Sequence, residues 1–152
     1  MTDERQSIIF RIDGVMGQPR PRFTTVNGLP KAYTSTEATI YREQAAFAFS
    51  TAARRSRIST PVNADPRGIE VQICASMSCP KSMTKKQREM ADRKSMRPTK
   101  KPDADNIAKI ILDSLNGIAW NDDASVTTLA VTKCYTSESD HVDVMVRWFP
   151  VE

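Results

Sequence analysis

The sequence predicts a mixed α/β (α+β) domain with one mixed sheet of four or five strands and two main helices. Three observations carry this. Short stretches near the start, in the middle and at the end of the chain alternate apolar and polar residues, the period of a half-buried strand. Two longer stretches repeat their apolar residues every three or four positions, the period of a helix with one buried face. The 152 residues, 39% of them hydrophobic, suffice for one real core. No internal repeat or composition break divides residues 1–152 further.

The elements follow in order. Ser7 to Ile12 alternates and reads as a strand ending at Asp13-Gly14. The next stretch, GQPRPRFTTVNGLPKAY, is too rich in proline, glycine and cations to be helical. Thr36 to Arg57 reads as a long helix, with Glu37 near its start and Arg54, Arg55 and Arg57 at its end, where each charge suits the helix dipole. Ile40, Ala45, Phe47, Ala48 and Ala52 are its expected buried face. Pro61 to Gly68 reads as a loop. Ile69 to Met77 is a strand with Ile69, Val71, Ile73 and Ala75 on one side. A short helix fits within Met83 to Ser95. Val126 to Tyr135 and Val142 to Phe149 are strands, expected to pair as a hairpin around Thr136 to Asp140.

The clearest helix lies in KPDADNIAKIILDSLNGIAWNDDASV. Ile107, Ile110, Ile111, Leu115 and Ile118 form an apolar stripe, and Asp105, Lys109, Asp113 and Asn116 fall on another. Asp105 or Asn106 is the expected N-cap, Asn116-Gly117 the stop, and Pro102 keeps Asp103 on the entering segment. Taken singly, each acidic residue is an ordinary cap, turn or surface charge. Taken together, Asp103, Asp105 and the later pair Asp122-Asp123 repel one another unless a cation offsets them. Mg²⁺ needs only a few carboxylates and keeps several waters. A calcium EF-hand loop fails here. Counted from Asp103, its fifth, sixth and twelfth positions would be Ile107, Ala108 and Ser114.

Other chemistries are excluded. The cysteines, Cys74, Cys79 and Cys134, are odd in number and lack paired spacing, which argues against a disulfide framework or a zinc site. The single histidine, His141, heads a strand, and a Ser-His-Asp or Cys-His mechanism would have to rest on it alone. No phosphate-binding glycine loop is present, so no nucleotide cofactor is expected. No apolar run reaches the ~20 residues of a membrane helix. The start, MTDERQSIIF, lacks a secretion signal's basic and apolar regions, and a cytoplasmic location is expected.

The net charge is +4, unevenly spread. Residues 81–101 hold nine Lys or Arg against two acidic residues, directly before the acidic cluster. With few apolar anchors, that stretch is expected to be mobile without a partner. Alone it could be a solvated loop. Beside carboxylates it fits nucleic acid, with cations on phosphates and a metal at the scissile bond.

The segments GQPRPRFT (Gly17–Thr24), TKKPDADNIAKIILDSLNG (Thr99–Gly117) and NDDASV (Asn121–Val126) resemble the RusA family of Holliday junction resolvases. These are small, homodimeric, Mg²⁺-dependent endodeoxyribonucleases, often encoded by prophages. The resemblance implies catalytic roles for Asp103, Asp105, Lys109 and Asp123. It implies Mg²⁺, with Mn²⁺ as a substitute, on Asp103, Asp105 and Asp123, with Asp122 as a further neighbour. It also implies a four-way DNA junction as partner. Trp120, beside the second acidic pair, is expected to pack. The residues expected on DNA are Arg20, Arg22, Lys85, Lys86, Arg88, Arg97, Lys100 and Lys101. Two alternatives stay open: a non-catalytic module binding branched DNA, and a nuclease of the same chemistry on other branched DNA or RNA.

Overall fold

The computed structural model describes residues 3–152. Strand β1 (Gln6–Asp13) leads through a hairpin of β2 (Arg22–Val26) and β3 (Leu29–Tyr33) into helix α1 (Thr36–Arg55). Then come β4 (Ala64–Ser78), α2 (Lys85–Asp92), α3 (Ala104–Leu115), one 3-10 turn (Asp123–Ser125), β5 (Val126–Thr136) and β6 (His141–Pro150). The fold is the expected α+β domain, with a four-stranded mixed sheet in the order β1-β6-β4-β5 and a separate two-stranded ribbon.

Alternation decides which face is buried. Ile8, Phe10 and Ile12 of β1 face inward with Val142, Val144, Val146 and Trp148 of β6, and with Ile69, Val71, Ile73 and Ala75 of β4. Helices α1 and α3 lie on that side and share the core. On α3, Ile107, Ile110, Ile111 and Leu115 are fully buried as expected, while Ile118 beyond the helix is 39% exposed. On the other sheet face Ile9 is 66% exposed, while Ser76, Cys134 and His141 toward the end of β4 are buried.

Four expectations need correction. Strands β5 and β6 do not pair. Both flank β4, which runs parallel to β5 and antiparallel to β6. The Thr136–Asp140 connection therefore hops over the end of β4, held by Ser78 N–H donating to Asp140 Oδ1 at 2.6 Å. Alternation fixes which face a strand buries but not its neighbour. On α1 the buried stripe is Ala38, Tyr41, Ala45, Phe49 and Ala53. Phe47, two residues from Phe49 and so on the far side of the helix, is 73% exposed. The small alanines let α1 approach β1, where Phe49 meets Phe10 edge-on at 5.7 Å between ring centres. The Pro61–Gly68 loop is shorter than expected, because β4 begins at Ala64. The N-cap of α3 is Asp103, not Asp105 or Asn106.

Candidate active site

The head of α3 gathers the first half of the acidic motif. Asp103 at the N-cap has an extended backbone (φ −70°, ψ 149°), and its carboxylate makes no capping bond. Asp105 Oδ1 accepts the Asn106 N–H at 2.9 Å. Both carboxylates lie at the positive end of the helix dipole. Asp105 and Lys109 are four residues apart and both exposed, so they share the solvent face of α3. Asp113 follows on that face and pairs with Arg42 at 3.8 Å. Among the described residues, neither Asp103 nor Lys109 has a side-chain hydrogen bond or ion pair.

The chain leaving β1 closes one wall. Gln18 N–H donates to Asn106 O at 2.9 Å, and Arg42 donates to Gln18 Oε1 at 2.6 Å. Gly17 is needed here for close approach. A Cβ at this position would stand 2.8 Å from Pro102 Cβ and 3.1 Å from Asn106 Cβ. Between these walls lies an open cavity of about 400 Å³, lined by Gly17, Gln18, Pro19, Arg20, Lys101, Pro102, Asp103 and Asn106. It presents two cations and one free carboxylate. Gln18 and Arg42 had no assigned role in the sequence reading, and Asn106 entered it only as a candidate N-cap, because contacts between distant segments leave no local pattern.

The second acidic pair lies elsewhere. Asp122 caps the 3-10 turn, accepting the Ala124 N–H at 3.1 Å. Asp123 Oδ1 accepts the indole N–H of Trp120 at 2.7 Å, and its backbone N–H donates to Asn116 Oδ1 at 3.1 Å. Trp120 is fully buried, as its packing role required. Asn116 caps the far end of α3. At 1.5 Å per residue, the helix puts about 16 Å between Asp105 and Asn116. Among the described residues, no three His, Cys, Asp or Glu side chains stand close enough to hold one metal ion. One chain therefore splits the expected cluster, with Asp103 and Asp105 at one end and Asp122 and Asp123 at the other. The first pair fits Mg²⁺, which is often held by one or two carboxylates, waters and substrate phosphates.

The basic stretch carries more structure than its composition implied. Thr84 and Gln87 form a reciprocal capping box at the start of α2, and Met83 and Ala91 are buried. Arg97 donates to Lys133 O at 3.2 Å, and Lys133 Nζ donates to Lys100 O at 2.5 Å, fixing the stretch against β5. Lys85 and Lys86 occupy the first turn of α2, which holds no acidic residue. Cations there oppose the helix dipole, and such a local cost is most often kept where the charge has a use. Arg20, Arg22, Lys85, Lys86, Arg88, Arg97, Lys100 and Lys101 are all exposed.

Residues 14–147 match the family model described as endodeoxyribonuclease RusA. The chain belongs to this family. It is also 33% identical, over 132 residues, to an uncharacterized protein, YqaN, of Bacillus subtilis (strain 168). That match covers 87% of this chain and 89% of the relative. Membership in the RusA family points to an endodeoxyribonuclease, a hydrolase of DNA phosphodiesters, and a junction DNA substrate is consistent with it. No helix among the described residues is long and apolar enough to cross a membrane.

Proposed function

We propose that this RusA-family chain is a Mg²⁺-dependent, structure-selective endodeoxyribonuclease that resolves four-way junctions by paired symmetric nicks. It would act as a cytoplasmic homodimer in recombination and repair. The observation that carries this reading is the head of α3. There the Asp103 carboxylate, without a side-chain partner among the described residues, lines a cavity that also presents Arg20 and Lys101. An anionic DNA strand fits the cations, and Asp103 and Asp105 are the oxygen ligands that would suit a hard divalent cation beside it.

Asp103 and Asp105 would hold the metal, and Mn²⁺ would serve in its place. When bound, the ion supplies positive charge at the scissile phosphate and a more acidic water. Lys109 faces the same side, its ammonium unpaired among the described residues, and stabilises the charge that grows on the phosphate oxygens. Arg20, Lys100 and Lys101 hold the backbone at the cavity, with Arg22, Lys85, Lys86, Arg88 and Arg97 extending the track. Paired nicks on a two-fold junction need two matched sites, which a two-fold dimer supplies. The exposed part of the sheet around Ile9 offers a surface for it. We assign Asp123, with Asp122 beside it, a part in the reaction within that dimer. What supports a cross-subunit part is that, among the described residues, Asp123 forms no three-ligand group with Asp103 and Asp105 in its own chain.

The test is a labelled synthetic four-way junction incubated with Mg²⁺ or with EDTA, beside Asp105→Asn. Symmetric paired nicks that need Mg²⁺ and vanish in the variant support the reading. Tight binding with no cut in either condition replaces it with a non-catalytic branched-DNA module. Equal cutting of linear duplex, three-way DNA or RNA moves the activity to another substrate.

A further inference from the structure

The β2–β3 ribbon has no folding reason of its own. Every residue of both strands is exposed. Even so, it carries Phe23 at 70%, Leu29 at 71%, Val26 at 45% and Tyr33 at 46% exposure. Water-facing apolar side chains grouped on one projection mark a contact surface more often than scattered ones do.

The register sorts these residues. Arg22 pairs with Tyr33, Thr24 with Lys31 and Val26 with Leu29, so by alternation these six share one face. That face runs from a cation beside an aromatic ring, through two polar side chains, to an apolar tip. Asn27 (φ 52°) and Gly28 (φ 78°) make a tight two-residue turn there. Between Asp13 and Glu37 the chain has three cations, Arg20, Arg22 and Lys31, and no acidic residue. A protein groove would be matched by the apolar tip alone, whereas a polyanion with exposed π faces matches the whole gradient. The root of the ribbon is the Gln18–Asn106 bond, so the arm springs from the wall of the cavity that holds Asp103.

We infer that the β2–β3 ribbon is a branch-point arm: Arg22 and Lys31 take backbone phosphates, while Val26 and Leu29 cover the face of a base pair left unstacked where DNA arms diverge. This rests on the branched-DNA reading above. Apolar side chains placed against unstacked base steps are a recurrent way to favour distorted DNA over straight duplex.

The test compares the parent with Val26→Ser/Leu29→Ser and with Arg22→Gln/Lys31→Gln. Binding is measured in EDTA to a four-way junction carrying 2-aminopurine at the branch, and to a linear duplex of equal length. The ribbon is wholly exposed, so far-UV circular dichroism of all three proteins should coincide. The tip variant is expected to raise the junction Kd about tenfold, the scale of one stacked-base contact. Its duplex Kd should stay within about twofold, and the rise in 2-aminopurine fluorescence should vanish. The cation variant should weaken both complexes and reduce the salt slope by about two. A tip variant with the parent's junction Kd and fluorescence overturns the arm alone. A parent that binds junction no better than duplex overturns the branched-DNA reading, and the arm with it.

Discussion

Asp123→Ala separates the structural from the chemical work of the second acidic pair. Trp120 is fully buried, and Asp123 Oδ1 takes its indole N–H at 2.7 Å. Truncation to Ala leaves that donor inside the protein without an acceptor, a cost of about 1–3 kcal/mol. With a urea m-value of about 2 kcal/mol/M, a loss of about 2 kcal/mol moves the unfolding midpoint down by about 1 M. In a chain of this size the same loss lowers Tm by about 4–8 °C. Asp123→Asn keeps an oxygen at the acceptor position and loses only the charge, so most of the stability should return. Urea titrations followed by tryptophan fluorescence and by circular dichroism measure both variants. An Asp123→Ala protein that unfolds at the parent's midpoint would refute the reasoning, because the indole would then have found another partner or water. An Asp123→Asn protein as unstable as the Ala variant would show that the charge, not the acceptor, holds the turn.

Other outcomes follow from the same geometry. Asp103→Asn and Asp105→Asn should leave Tm near the parent's, since both side chains are exposed, while nicking falls by two or more orders of magnitude and calorimetric Mg²⁺ affinity weakens. Gly17→Ala should slow nicking and lower Tm, because its Cβ would press on Pro102 and push the Gln18 wall off α3; kinetics equal to the parent's would show that the wall can shift freely. Glu70 is held below the ordinary carboxylate range by hydrogen bonds from Arg147 and Gln72. Its contribution is therefore present above the ordinary carboxylate pKa and fades as pH falls through the lowered value, so Glu70→Gln should be less stable at pH 7 and show a flatter acid limb in urea titrations from pH 7 to about pH 2.

How much the sequence disclosed depended on the range of each interaction. The apolar stripe of α3 and the inward faces of β1, β4 and β6 were legible because burial writes a period into the chain. The β5–β6 pairing was misjudged because adjacency in sequence is only a prior for adjacency in a sheet. The ribbon was missed although Asn27-Gly28 is a strong two-residue turn signal. Its strands bury nothing, so they lack the apolar alternation by which strands are recognised. On α1, Phe47 was expected inside, where the spacing from Tyr41 and Ala45 selects Phe49. The residues of the acidic motif were legible, but their separation was not, because spacing along a helix fixes a face and says nothing of the chain beyond its end.

That separation follows from topology. Strands β4 and β5 are parallel, so the chain between them must cross from the end of one strand to the start of the other. Helix α3 makes the return. Its head lies near the end of β4, beside the basic stretch and the ribbon root, and its tail delivers Trp120 and Asp123 to the start of β5. A motif that spans this return has its two acidic halves at opposite ends of α3, and among the described residues they form no three-ligand group within one chain. If Asp123 acts in the dimer, two inactive variants should repair each other. Asp105→Asn and Asp123→Asn subunits, unfolded together and refolded as mixed dimers, would form one site with both carboxylates intact and one with neither. Nicking should then return to a substantial fraction of the parent's. If each site were built from a single chain, both sites of the mixed dimer would be damaged and the mixture would stay inactive. That result would return Asp123 to the site of its own chain, whereas an Asp123→Asn protein that nicks like the parent by itself would leave Asp123 the Trp120 bond alone.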